Sequence, residues 1–369
     1  MKQADLGKIE QSLDGILRHA DHRSLVAEGD SLELLRRMPD YSVSLILTDP
    51  PYHSTKKKNI YGDTSFAEDQ HFVGWMTLYA DEWKRILRPN GSLFCFCSSE
   101  MSARLEVAFS KEFNVLSHIV WTKPNDPGFD GWKGKMKKEA LRQWYPHSER
   151  ILFAEPAVEG NLHRSPFAQF LREVRKHSGL SGHQLTEIIG AHGAVNHGGA
   201  VSNWETGRNI PSKEQYTRMC GAFLATGKVG TMPSYEDAVR VFRVNGSVEF
   251  TDVWNFSSVR PYKSKHPAEK PIDLLEHAIG ATTFEGDVVL DCFAGSGNTA
   301  VAALNLGRRA VAIEIDTHWV EKIAERVRYA SAGQVLDKPK PSGGKQAYKV
   351  ISGAKNPQPS LFDVIAERV

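Results

Sequence analysis

Residues 45–52 read LILTDPPY: an apolar run that stops at Asp49, two prolines and Tyr52. Proline fixes φ and has no N–H, so the carbonyls beside it are free to face a cleft. An acid and a carbonyl together make an acceptor pair for an amino group, and Tyr52 adds a flat ring for stacking. The stretch Asp49, Pro50, Pro51, Tyr52 thus suits a planar, amino-bearing ring. It could equally be a rigid turn that caps a strand. A second stretch, VVLDCFAGSGNTAVAA over 288–303, reads as strand, glycine loop and helix. Gly295 and Gly297 allow a ligand close to the backbone, as in nucleotide folds. The third glycine of the dinucleotide fingerprint is replaced by Ala300, so no pyrophosphate is specifically indicated. Glu314 lies 19 residues beyond Gly295 at the end of the next strand pattern, where an acid can accept ribose hydroxyls.

The elements that must position these residues alternate. Short strands are expected at Leu25 to Ala27, Val43 to Leu47, Ser92 to Cys97, Val115 to Trp121, Arg150 to Ala154, Val288 to Leu290 and Ala310 to Ile313. Helical periodicity falls between most of them. This alternation predicts an α/β fold with a doubly wound, mainly parallel sheet. Residues 5 to 19 carry Leu6, Ile9, Leu13, Ile16 and Leu17 at helical spacing, so 1–22 reads as an amphipathic N-terminal helix. The alternation breaks over 156–255, which is polar and mostly helical. The expected organisation is therefore a catalytic part over 23–155, an inserted helical domain, a cofactor part over 256–330, and a flexible tail over 331–369 rich in Pro, Gly, Ser and Lys.

Composition excludes little but narrows the setting. The chain has 369 residues, 41% of them hydrophobic, and a net charge of +2, so bulk charge does not announce a nucleic-acid partner. Lysines do cluster at 56 to 58 and over 123 to 138. Cys95, Cys97, Cys220 and Cys292 form no metal pattern and suit a reducing compartment. No signal peptide and no apolar run near membrane-spanning length is visible, which predicts a cytoplasmic protein without a membrane partner or a metal.

The paired stretches resemble the S-adenosylmethionine-dependent DNA amino-methyltransferases. Asp49-Pro50-Pro51-Tyr52 precedes Phe293-Ala294-Gly295-Ser296-Gly297, with a long insert between. That is the permuted motif order called the β class. EGDSLELL around Asp30, HPAEKP at 266–271 and AIEIDTHWVEKIAERV at 312–327 support the match. The resemblance implies a seven-stranded, Rossmann-like sheet in the order 3-2-1-4-5-7-6, strand 7 antiparallel, with the chain starting at strand 3. It implies S-adenosylmethionine as cofactor, lined by Asp291, Phe293, Gly295, Gly297 and Asn298. Glu314 would hold the ribose, Asp30 the adenine, and His266 and Lys270 would close over the methionine end. It implies duplex DNA as partner, with Asp49 and the Pro50 carbonyl accepting the exocyclic amine of a flipped base. Lys56, Lys57 and Lys58 would clamp phosphates. Asp at position 49 is similar to the adenine-N6 enzymes; cytosine-N4 remains an alternative, as does a DNA-binding regulator that has lost turnover.

Within the insert, FAQFLREVRKHSGLSGHQLTEIIG and AVNHGGAVSNWETGRNIPS resemble a phage-repressor helix-turn-helix, with a longer connection before the last helix. That resemblance nominates Asn196, His197, Ser202 and Asn203 as base readers and Arg208 as a phosphate contact. A purely structural insert is the alternative. Near the end, Gln358, Ser360, Leu361 and Phe362 resemble the short peptide that binds the bacterial sliding clamp, although a helix docking on the chain itself would use the same residues. The amphipathic N-terminal helix and the habit of the family also suggest a homodimer.

Overall fold

A computed structural model describes residues 2–52, 66, 68–123, 139, 142, 144, 148–158, 165–191, 199–244, 250–260, 262–331, 335–336 and 350–351. Lys56, Lys57, Lys58, Asn196 and His197 lie outside these residues, as do Gln358, Ser360, Leu361 and Phe362 of the terminal peptide.

The chain opens with helix α1 (Lys2–Ser12) and two strands, β1 (Leu17–Ala20) and β2 (Ser24–Glu28). Helix α2 (Ser31–Arg37) leads to β3 (Val43–Thr48), α3 (Asp69–Ile86), β4 (Leu87–Cys97), α4 (Ser102–Phe109), β5 (Phe113–Thr122) and β6 (Ser148–Pro156). Five helices follow: α5 (Pro166–Ser178), α6 (Gly182–Ile189), α7 (Gly199–Glu205), α8 (Lys213–Ala225) and α9 (Tyr235–Ala238). The chain then returns through β7 (Val253–Asn255), α10 (Ile272–Thr282), β8 (Val288–Asp291), α11 (Asn298–Asn305), β9 (Arg309–Glu314) and α12 (Thr317–Ser331).

The main sheet has nine strands in the order β1-β2-β9-β8-β3-β4-β6-β5-β7. Its inner seven reproduce the expected order, and β6 is the antiparallel strand between β4 and β5. The sheet is wider than expected because a strand is added at each edge: β1 pairs antiparallel with β2, and β7 pairs parallel with β5. The N-terminal helix is correspondingly shorter than expected. It ends at Ser12; Gly15, at φ 83°, lies between it and β1. Leu6, Ile9 and Leu13 are buried in the core on one face of the sheet, so the apolar side of α1 is used by this chain's own core. That removes the reason for reading it as a dimer surface.

Strands β3 and β8 sit at the centre of the sheet with every residue buried, as continuous apolar runs covered on both faces should be. Helices α10, α11 and α12 pack on one face with Val26, Leu45 and Val289, while α3 packs on the other with Ile46 and Leu290. The helices of 165–238 build a separate core around Phe167, Leu185, Trp204 and Phe223.

Among the described residues no helix is long and apolar enough to cross a membrane, and no cluster of His, Cys, Asp and Glu could hold a metal ion.

Candidate active site

Both motifs stand at the carboxyl edge of the sheet, where ligands bind in open α/β folds. The pairing of Ile46 with Leu290 sets Asp49 beside Asp291 at the ends of adjacent strands. Thr48 Oγ1 joins the two motifs by donating to Asp291 Oδ1 at 2.8 Å, and the Phe293 N–H donates to the same oxygen at 3.1 Å. Burial pushes the Asp291 carboxyl up to about 6, against the lowering by those bonds and one from Thr299.

The catalytic half is a compact ion network. Lys270 Nζ donates to Asp49 Oδ2 at 2.6 Å and stands 3.3 Å from Glu149 Oε2. The Tyr52 hydroxyl donates to Glu149 Oε2 at 2.8 Å, and Lys123 donates to Glu149 Oε1. Asp49 Oδ1 is buried and accepts no hydrogen bond. Burial raises the Asp49 carboxyl, with Glu149 adding to the effect and Lys270 opposing it. Burial acts on Glu149 in the same sense, but the ammonium groups of Lys270 and Lys123 outweigh it and hold Glu149 at about 2. Tyr52 is pushed well up by burial and by both carboxylates, so its hydroxyl keeps its proton and serves as a donor.

The second half is a cradle of backbone and carboxylate. Gly295 and Gly297 take φ of 49° and 77°, the left-handed region that glycine alone enters without strain. Glu314 is oriented by three backbone donors: Gly295 N–H to Oε2 at 2.7 Å, and Ile315 and Asp316 N–H to Oε1 at 2.9 and 3.0 Å. Burial raises its carboxyl against those bonds. Phe293 packs against Tyr79 and Trp75 of α3, with centroids at 5.0 and 5.7 Å. The His266 ring lies over Gly295 and edge-on to Trp319 at 4.6 Å. Burial first, and the charge of Lys270 next, lower that imidazole to about 4, so it is neutral near pH 7.

Other nominated residues also make bonds within the protein. Asp30 is exposed and caps α2, accepting the Glu33 N–H at 3.0 Å. It stands next to Gly29, whose N–H donates to the Glu314 carbonyl at 3.0 Å, so it borders the Glu314 end of the cradle. Asn298 is buried and structural: its amide donates to the Lys270 carbonyl at 2.6 Å and to Glu269 at 3.1 Å, and its oxygen accepts from Arg326 at 2.5 Å. It fastens the 266–271 segment to the glycine loop. The Lys270 ammonium reaches the catalytic half, although its motif was expected at the cofactor's methionine end.

Ser202 and Asn203 lie on α7, with Ser202 exposed; Arg208 is exposed just beyond, and Trp204 and Glu205 are buried, Glu205 bonded to Arg175 at 3.0 Å. This helical unit is tied to the opposite edge of the sheet. Asn90, at the start of β4, donates to the Glu236 carbonyl at 2.8 Å. Arg240 pairs with Glu155 at the end of β6 at 2.9 Å, and Arg243 N–H donates to the Ala281 carbonyl at the end of α10. Asn90 lies five positions before Cys95, the partner of Thr48, so these ties are roughly 16 Å along the strands from Asp49.

An acid and an aromatic ring are thus joined by one hydroxyl to a glycine cradle with an oriented acid. A family model described as DNA methylase, of the N6/N4 type, matches residues 43–326. The chain belongs to the N6/N4 DNA methylase family. This methylase is 43% identical over 325 residues to the type II methyltransferase M2.DpnII of Streptococcus pneumoniae, covering 83% of this chain and 89% of that one. It is 24% identical over 323 residues to the DNA adenine methyltransferase YhdJ of Escherichia coli strain K12, covering 85% and 86%. Its fold is similar to that of the PvuII DNA methyltransferase (cytosine-N4-specific), with a TM-score of 0.51 at 17% identity over 87% of this chain and 97% of that one.

The Glu149 and Lys123 contributions to the methylase site were not foreseen, nor was Arg326. Glu149 opens β6, and because β6 runs antiparallel its first residues stand at the edge where the parallel strands end. An acid at the start of the antiparallel strand was the signal available.

Proposed function

We propose that this chain methylates the exocyclic N6 of an adenine turned out of duplex DNA, with S-adenosylmethionine as methyl donor. The observation that carries the reading is the junction of the two half-sites. Asp49, with one buried unbonded oxygen, is one Thr48 hydroxyl away from the Asp291 end of the glycine cradle. The positive-φ glycines and the oriented Glu314 carboxylate fit a nucleoside-bearing cofactor, with Glu314 for the ribose, Asp30 for the adenine, and Phe293 and His266 flanking the rest. Bound S-adenosylmethionine supplies an electrophilic methyl group on a positively charged sulfur.

The protein's own residues handle the amine. An exocyclic amine is a poor nucleophile because its lone pair is delocalised into the ring. Asp49 Oδ1 and the Pro50 carbonyl, each accepting one N–H, favour a pyramidal nitrogen with a localised lone pair. Positioning and fixed charge then supply the rate. Tyr52, its hydroxyl anchored on Glu149, offers the stacking face. The amine is out of reach within a duplex, so the base is flipped. Asp at 49, together with the names of the relatives from S. pneumoniae and E. coli, supports a DNA amino group; the E. coli name and the family pattern favour adenine over cytosine. The intact acceptor and cradle disfavour a silent regulator.

The helical unit is the proposed reader of DNA, through Ser202, Asn203 and Arg208 in a repressor-like helix-turn-helix, with Lys56 to Lys58 on phosphates beside the flipped nucleotide. Such an enzyme works where chromosomal DNA is, in the cytoplasm. The test is Asp49→Ala. Calorimetry should show S-adenosylmethionine affinity within about threefold of wild type, while methyl transfer to unmethylated DNA is lost. Equal loss of both would contradict the role given to Asp49.

A further inference from the structure

Asp49 accepts an amine hydrogen most strongly as a carboxylate, because the neutral acid is a weaker acceptor and one of its oxygens becomes a donor. Its surroundings make the ionised state costly. The site is buried, and Glu149 brings a second carboxylate into the same network; two acids sharing a buried site cannot both ionise without a cation between them. The titratable groups facing Asp49 are Glu149 from β6, Tyr52 from its own loop, Asp291 from β8, Cys95 and Cys97 from β4, and Lys270 from the segment before α10. Among the described residues, Lys270 is the cation in contact with it.

The placement of that ammonium is tightly specified. It bonds Asp49 Oδ2 at 2.6 Å and leaves the buried Oδ1 unbonded, so the counter-ion occupies one oxygen and not the other. The rings of Tyr52 and Phe96 each lie 5.1 Å from it, within cation–π range. The Lys270 carbonyl is fastened by Asn298, which fixes the root of the side chain. Glu149 lies 3.3 Å away and holds Tyr52 and Lys123 as well.

We infer that Lys270 is the counter-ion that keeps Asp49 ionised and able to accept the target amine, and that Glu149 braces Lys270 and Tyr52 in place. Both are positioning residues; neither touches the reacting nitrogen. The inference rests on the reading of Asp49 as the amine acceptor.

The test is the pH dependence of single-turnover methyl transfer to unmethylated bacterial chromosomal DNA, with S-adenosylmethionine affinity measured at each pH. Transfer rises with pH as Asp49 ionises. Lys270→Met removes the cation and keeps an unbranched chain. Its acid limb should move up by at least about one pH unit, so that activity falls about tenfold or more near neutrality and recovers in alkali. Lys270→Arg should keep the limb near wild type. Glu149→Gln removes the repulsion, so its limb should move the other way, with slower transfer because Tyr52 loses its charged acceptor. Cofactor affinity should change less than about threefold in all three. Equal loss of transfer at every pH in Lys270→Met, with weaker cofactor binding, would overturn the inference and make Lys270 a cofactor ligand. An upward limb in Glu149→Gln would overturn it independently, even if the Lys270 variants do not fold. Transfer that survives in Asp49→Ala would instead sink the reading of the acceptor itself.

Discussion

The two positive-φ glycines of the cofactor loop should respond differently to one added methyl group. A Cβ at Gly297 would lie 2.9 Å from Ile323 Cγ1 and 3.1 Å from its Cγ2. Ile323 is fully buried on α12 and β-branched, so it has no free direction in which to move. Left-handed backbone costs a non-glycine residue about 1–2 kcal/mol, and overpacking a filled core costs about 1–3 kcal/mol. Gly297→Ala should therefore lose about 2–5 kcal/mol of stability, which for a chain of this length lowers the melting temperature by roughly 3–6 °C. A Cβ at Gly295 would instead meet the His266 ring, 2.9 Å from Cε1. His266 is only half-buried, held by the Ala268 N–H and by Trp319 rather than locked in a filled core, so displacing it should add little to the backbone cost of about 1–2 kcal/mol. The displaced ring no longer covers the cradle, and cofactor affinity should fall by about tenfold or more. Thermal melts and calorimetry with S-adenosylmethionine on both variants separate the two. A Gly297→Ala protein as stable as wild type would refute the packing argument; unchanged cofactor affinity in Gly295→Ala would refute the cradle.

Three further outcomes are expected. A buried acid raised to about 6 favours its neutral form, so its contribution to stability is complete below the ordinary value near 3.8 and is lost as pH rises through about 6. Asp291→Asn is neutral throughout, so its melting temperature should match wild type near about pH 4 and exceed it above about pH 6; parallel curves would show that Asp291 is not raised. Tyr52→Phe keeps the ring and loses the hydroxyl with its bond to Glu149, so transfer should drop less than about tenfold, whereas Tyr52→Ala should lose about a hundredfold through stacking; equal losses would remove stacking from the account. Asn203→Ala should relax or weaken site choice more than it slows turnover on saturating DNA, read by sequencing the methylated positions, and an unchanged site would displace Asn203 as a reader.

The frame of the fold was legible because it rests on strong, local signals. Buried central strands such as β3 and β8 are largely apolar runs, and the connection of the inner seven strands was implied by the family resemblance that the two motifs carry. The edge strands gave no such signal. In β1 only alternate residues are half-buried, and Ile16 and Leu17 happen to continue the helical spacing of α1. In β7 three residues suffice, with Trp254 alone buried. The site divides in the same way. Asp49, Tyr52, Gly295, Gly297 and Glu314 sit in contiguous motifs whose chemistry can be read directly. Lys123 and Arg326 act through contacts between segments apart in the chain, such as Arg326 on Asn298, and no local pattern marks them, while Glu149 is marked only by being an acid at the start of the antiparallel strand. Lys270 was legible as a site residue but not in its direction, because a side chain's aim depends on what the fold brings opposite it.

The most direct measurement is the identity of the product. The purified protein is incubated with unmethylated bacterial DNA and methyl-labelled S-adenosylmethionine, the DNA is digested to nucleosides, and the labelled species is identified by mass. The account predicts N6-methyladenine. N4-methylcytosine would keep the amine chemistry but contradict the choice of base, and cofactor binding with no labelled nucleoside would contradict the central claim.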